Sequence, residues 1–136
     1  MRFGVNNGRM QTFCPCGSGE SYSSCCRRLH DGEIAAATAT DLMRARFCAF
    51  ARRDAEYLLR TWAPRTRPRR LEFDAALTWV GLTIVFKQAG GLFDQTGTVE
   101  FRASYRANGQ RGELHETSQF ERVDGAWVYV DGAIGK

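Results

Sequence analysis

Four of the chain's five cysteines fall within CPCGSGESYSSCC, residues 14 to 26. One residue separates Cys14 from Cys16; eight more follow, and then Cys25 and Cys26 stand side by side. Four thiolates suit a tetrahedral Zn²⁺, with sulfur at about 2.3 Å from the ion. A turn at Pro15 aims Cys14 and Cys16 at one point, and Gly17 and Gly19 tolerate the positive φ of a tight reversal. Ser21 to Ser24 start a short helix that delivers Cys25 and Cys26, with Tyr22 covering one side. A disulfide is the poorer reading, because adjacent cysteines bridge only through a strained ring. A redox motif would place two residues between its cysteines. The expected metal ligands are therefore Cys14, Cys16, Cys25 and Cys26, with His30, four residues beyond Cys26, as the alternative fourth. Four sulfurs leave no position for water, so a single structural Zn²⁺ is expected, not a Lewis acid.

A second group of polar residues emerges from strand parity. In ELHETSQF (113–120) and the Glu121 that follows, Leu114, Glu116, Ser118 and Phe120 share one face, and His115, Thr117, Gln119 and Glu121 the other. The apolar members point the first face inward and carry Glu116 with them. A buried carboxylate needs a partner. Arg46 falls on the inward stripe of a helix, so the two are expected to meet, with Ser118 or Tyr57 completing the hydrogen bonds. Arg46, Tyr57, Trp62, Trp79, Glu116 and Ser118 form the candidate pocket. A purely structural ion pair accounts for the same residues and is the favoured reading. His115 faces away from Glu116, and no nucleophile elbow, phosphate loop or hydrolase motif is present. No catalytic residue is assigned, and the sequence does not point to an enzyme.

The elements that position these groups are readable. Thr38, with Asp41 three residues on, caps an amphipathic helix to Arg53 whose inner face holds Ala39, Met43, Phe47 and Phe50. Cys48 lies on the opposite side and reads as a bland, partly exposed thiol. Asp54 caps a second helix running to Trp62, with Pro64 beyond it. LTIVFK (82–87) is a strand. TVEFRASYR alternates over 98–106, Asn108-Gly109 and Asp124-Gly125 are hairpin turns, and AWVYVDG closes a three-stranded antiparallel meander. Helices first and antiparallel strands after give an α+β class.

A chain of 136 residues with 43% hydrophobic content can bury one core and a small appendage. No apolar run is long enough to span a membrane. MRFGVNNGRMQTF lacks the apolar region of a secretory signal, so a cytoplasmic, reducing location is expected, where clustered thiols bind metal in preference to forming disulfides. The formal charge is +4. Arg27 and Arg28 follow the cysteines, and Arg65, Arg67, Arg69 and Arg70 fill the loop APRTRPRR. Together they could meet RNA, a ribosomal surface or an acidic protein. A solvated loop is the simpler reading, since no aromatics interleave with them.

CPCGSGESYSSCC resembles the SEC-C motif, the zinc module of the SecA tail, whose last ligand is often histidine where this chain has Cys26. LMRARF (42–47), EYLLRTW (56–62), the segment Trp79 to Leu82, VEFRASYR, ELHETSQF and WVYVDG, taken in order, resemble the YchJ-like bacterial family. That resemblance implies a SEC-C zinc knuckle over 1–32 and a nuclear transport factor 2-like (NTF2-like) cone over 33–136, in which helices pack on a curved sheet. It implies an interaction module whose knuckle docks a protein or ribosomal partner. The alternative is small-molecule binding or weak enzymatic activity in the cone.

Overall fold

The computed structural model describes residues 13–134. The expected lack of a secretory signal concerns residues 1–12, outside that range. A 3₁₀ turn (Tyr22–Ser24) is followed by α1 (Cys26–His30), α2 (Ala39–Arg52) and α3 (Ala55–Arg60). Strands β1 (Leu77–Ala89), β2 (Thr96–Ala107), β3 (Gln110–Val123) and β4 (Ala126–Ile134) then form one antiparallel sheet in chain order. LTIVFK is thus the middle of a longer first strand, hydrogen-bonded to the meander.

Local chemistry fixes the helix ends. The Asp41 amide donates to Thr38 Oγ1 at 3.1 Å, so Thr38 satisfies one of the orphan donors of α2. Another, the Ala39 amide, donates to the Gly90 carbonyl at 2.9 Å, docking the β1–β2 loop on the helix start. This approach needs glycine: a Cβ on Gly90 would lie 2.8 Å from that of Ala39. Asp54 Oδ1 accepts from the Tyr57 amide at 3.1 Å and starts α3. That helix ends at Arg60, short of the expected Trp62, because the backbone leaves to pair with β4. The Tyr129 amide donates to the Thr61 carbonyl at 2.8 Å, and the Ala63 amide to the Tyr129 carbonyl at 2.7 Å. The sheet outcompetes the last helical turn, and Pro64 is not needed to stop it.

Both expected hairpin turns form, with two consecutive positive φ values each: 53° and 80° at Asn108 and Gly109, 52° and 84° at Asp124 and Gly125. Register shifts at Trp79/Gly81, Ile84/Phe86 and Gln119/Phe120 interrupt the ladder and bend the sheet. The resulting curve holds α2, which packs on β1, β2 and β4. Leu42, Phe47, Leu58, Val99 and Phe120 are buried there, each contributing about 1.5–3 kcal/mol on full burial. Helix α2 is covered on both sides. The sheet takes the face of Met43 and Phe47, and the cysteine segment takes the other. Cys48, expected to be partly exposed, is accordingly 0% exposed. Among the described residues no helix is long and apolar enough to cross a membrane.

Candidate functional site

The cysteine segment is a closed loop. Phe13 and Ser21 pair as an antiparallel bridge. The Cys14 amide donates to the Glu20 carbonyl at 2.8 Å, and the Gly17 amide to the Cys14 carbonyl at 3.1 Å. Gly17 and Gly19 have φ of 85° and 88°, the left-handed conformation the reversal needs. The 3₁₀ turn then presents Cys25, and α1 begins at Cys26. The four Sγ atoms of Cys14, Cys16, Cys25 and Cys26 lie within 4.8 Å of one another, an arrangement that could hold a metal ion. Cys16 and Cys25 approach to 3.6 Å, near the ~3.8 Å edge of a tetrahedron with metal–sulfur bonds of about 2.3 Å. Cys14, Cys16 and Cys26 are buried.

The four thiols cannot all ionise unaided. Hydrogen bonding from Cys26 pulls Cys16 down to about 4. The same bond, with others and burial, pushes Cys26 upward, and burial pushes Cys14 up to about 12. Cys16 takes the charge while Cys14 and Cys26 keep their protons; a cation would let all four become thiolates.

His30 stands apart from the sulfurs. Its Nε2 donates to the Ala45 carbonyl at 2.9 Å, which leaves Nδ1 to accept from the Tyr22 hydroxyl at 2.7 Å. Both nitrogens are engaged, and the ring bolts α1 to α2. Tyr22 lies beneath the Arg52 guanidinium, 3.7 Å from the ring centroid. Arg44 donates to the Cys16 carbonyl at 3.3 Å, and Cys48 Sγ sits 3.7 Å from Cys14 Sγ. Arg44, Ala45, Cys48 and Arg52 thus form one helical stripe against the knuckle. Its spacing was visible in the sequence, but a face of arginines and small residues reads as solvated.

On the opposite face of α2 lies a cavity of about 220 Å³, lined by Met43, Arg46, Phe47 and Phe50 from the helix, by Trp62, and by sheet residues including Trp79, Glu116, Ser118 and Tyr129. Five of the six expected pocket residues meet here. Tyr57 does not: it stacks on His30, centroids 4.6 Å apart, on the knuckle side. Tyr129 takes its place in the lining.

The expected Arg46–Glu116 pair does not form. No nitrogen of Arg46 comes within 4.0 Å of a Glu116 oxygen. Arg46, only 3% exposed, donates from Nη1 to the Leu58 carbonyl at 2.7 Å and to Thr61 Oγ1 at 2.8 Å. Helix α3 ends in reach of the guanidinium and captures it before the sheet can. Its Cζ lies over the rings of Trp62 and Tyr129, with centroids at 5.0 and 4.6 Å. Burial lowers its pKa to about 10, so it remains a cation at neutral pH. Glu116 Oε2 has only long contacts, 3.5 Å to Ser118 Oγ and 3.5 Å to the Tyr129 hydroxyl. Burial raises its carboxyl above the ordinary value. Gly132 makes room for it, since a Cβ there would collide with the carboxylate. His115 is on the outer face, 2.6 Å from Glu100.

The arginines outside are largely self-paired. Arg27 meets Asp31 at 3.2 Å, Arg28 meets Glu33 at 3.0 Å, Arg70 meets Glu72 at 3.3 Å, and Arg65 meets Glu121. Arg67 donates to the Trp62 carbonyl at 2.8 Å.

Residues 38–132 match the family model described as YchJ, middle NTF2-like domain. The chain belongs to this YchJ-like, UPF0225 family. A UPF0225 protein of Streptomyces coelicolor is 60% identical over 119 residues, 88% of this chain and 93% of that protein. One from Corynebacterium glutamicum is 48% identical over 89% of this chain and 96% of its own length. The solution structure of a SEC-C motif containing protein from Rhodopseudomonas palustris aligns with TM-score 0.78 and 32% identity, over 90% of this chain and 98% of the other. The crystal structure of another, from Psychrobacter arcticus, gives TM-score 0.73 and 28% identity, over 90% of this chain and 82% of that one. The helices and curved antiparallel sheet are thus an NTF2-like α+β fold beside a SEC-C cysteine cluster.

Proposed function

We propose that this is a small-molecule-binding protein whose cone is braced by one structural Zn²⁺ on Cys14, Cys16, Cys25 and Cys26. The zinc assignment rests on the donor set: four convergent thiols, no carboxylate, and no open position. Bound there, the ion ties the loop and α1 into the core. The division between 1–32 and 33–136 then separates two parts of one packed unit, since Cys14, Cys16 and Cys26 share a buried cluster with Leu42, Phe47 and Phe120. Thiols kept ready for metal suit a reducing cytoplasm.

The single observation carrying the binding role is Arg46, a buried cation on a cavity wall with hydrogen-bonding capacity unspent. Both of its bonds leave from Nη1; Nε and Nη2 have no protein partner among the described residues. Trp62 Nε1, also in a cavity-lining side chain, is buried without a partner. An unmet buried donor such as Trp62 Nε1 is costly, and the Arg46 nitrogens that open on the cavity are left to whatever fills it. Partner docking through the knuckle or the arginine loop has less support, because Arg27 and Arg28 in the first and Arg65 and Arg70 in the second already hold carboxylates of their own chain.

Titrating indole into the zinc-loaded protein tests the reading by NMR. Shifts should be confined to Phe101, Ala103, Leu114 and their neighbours. Saturating indole without shifts there would refute it. Native mass spectrometry should find one zinc per chain.

A further inference from the structure

We infer that the cavity takes a neutral, flat molecule of one or two rings with a hydrogen-bond acceptor beside a donor, a lactam-like edge held between Arg46 and Glu116. The inference rests on the binding role proposed above and names its ligand class.

Charge is the first argument. Arg46 and Glu116 line one cavity with opposite signs and do not touch. Tyr129 spans the gap: its ring lies 4.6 Å from the Arg46 guanidinium carbon, and its hydroxyl 3.5 Å from Glu116 Oε2. A carboxylate ligand would satisfy the guanidinium but face Glu116. An amine would do the reverse. A neutral group with a carbonyl toward Arg46 and an N–H toward Glu116 satisfies both and leaves no uncompensated charge in a low-dielectric site.

Shape and size follow. Trp62 and Tyr129 meet edge to face, centroids 5.0 Å apart at 87°. Across the cavity, Phe47 and Trp79 do the same at 6.1 Å and 69°. Rigid aromatic walls favour a flat occupant. A dry cavity of about 150 Å³ is enough for benzene, so about 220 Å³ admits one ring or two fused ones. Water is the competing occupant. It could satisfy the charged groups but finds only apolar surface along Met43, Phe47, Phe50 and Phe101, so displacing it with a ring is favourable.

Three probes of similar size decide the matter on the full-length, zinc-loaded protein at neutral pH: 2-quinolone, 2-naphthoate and 2-naphthylmethylammonium. Calorimetry should rank 2-quinolone about tenfold above either ion, the worth of one well-made bond to a charged group. Glu116→Gln, which keeps shape and removes charge, should weaken 2-quinolone severalfold and strengthen 2-naphthoate. Melting curves and indole shifts verify that the variant folds and keeps its cavity. Either ion binding more tightly than 2-quinolone would overturn the charge inference. Indole binding with 2-quinolone failing to bind would overturn it too, while the cavity role survives. Failure of indole as well would remove both.

Discussion

The two faces of α2 handle polar groups in opposite ways. Toward the knuckle, the polar groups nearest the sulfurs are engaged. His30 uses both nitrogens, Arg44 holds a carbonyl, and the four sulfurs converge at a spacing that could hold an ion. Toward the cavity, Arg46 keeps two nitrogens without partners among the described residues, and Glu116 rests on two contacts at the outer limit of hydrogen bonding. Saturated groups lock a structure, whereas unsaturated ones are a cost that only an occupant removes. One helix thus separates a face built to hold still from a face built to be filled.

The sharpest challenge to this contrast is Cys25→Ser. Cys25 is the half-exposed member of the set, so its own packing matters little, and any large effect must pass through the metal. The variant should lose zinc by mass spectrometry and at least about 3 kcal/mol of stability, in line with the coupling of structural zinc to folding. A cone that melts unchanged after zinc loss would make the knuckle an independent module and return weight to partner docking.

Next is Arg46→Met. It fills the space but takes the donor from the Leu58 carbonyl and the cation from Glu116's surroundings. A loss of about 2 kcal/mol is expected, well below the cost of breaking a tight buried pair, because Arg46 and Glu116 are not paired. Loss above about 4 kcal/mol in chemical denaturation would make Arg46 a bolt like His30, and the contrast between the faces would fail.

Much of this was legible in the sequence, and the failures share a cause. Thiol spacing and hairpin dipeptides are local signals, and both appear where expected: Cys14 to Cys26 converge, and both turns adopt their positive φ pairs. Strand parity placed Leu114, Glu116 and Ser118 on the cavity wall. The Arg46–Glu116 contact failed because α3 ends early to pair with β4, an outcome set by tertiary pairing, and its carbonyl then takes the guanidinium. Cys48 was misplaced because helical periodicity separates one apolar stripe from the rest, and does not foresee a second object packed on that other side.

Cys48→Ala bears on the same face with a smaller effect. Cys48 is fully buried and near Cys14, yet the four-sulfur set is complete without it. Removing one sulfur from a packed site should cost about 1 kcal/mol, with zinc content unchanged. Zinc loss would make Cys48 a ligand and the tetrahedral assignment wrong.

The smallest effect, and opposite in sign, belongs to Glu116→Gln. Burial raises the Glu116 carboxyl above 4.5 despite help from Ser118, Tyr129 and Arg46. A group whose pKa is higher in the folded state stabilises the fold fully below its unfolded value and loses that contribution as pH rises through the folded value. At neutral pH the ionised carboxylate is therefore a net burden, one that an amide of the same shape does not carry. Glu116→Gln should raise stability at pH 7 by up to about 1 kcal/mol. The advantage should shrink on acidification and vanish below the ordinary carboxylate range. Denaturation at pH 7 and in acid reads the difference directly. Equal stability at both, or destabilisation at pH 7, would mean that the carboxylate is well satisfied by the protein alone, and the open face of α2 would be as closed as the other.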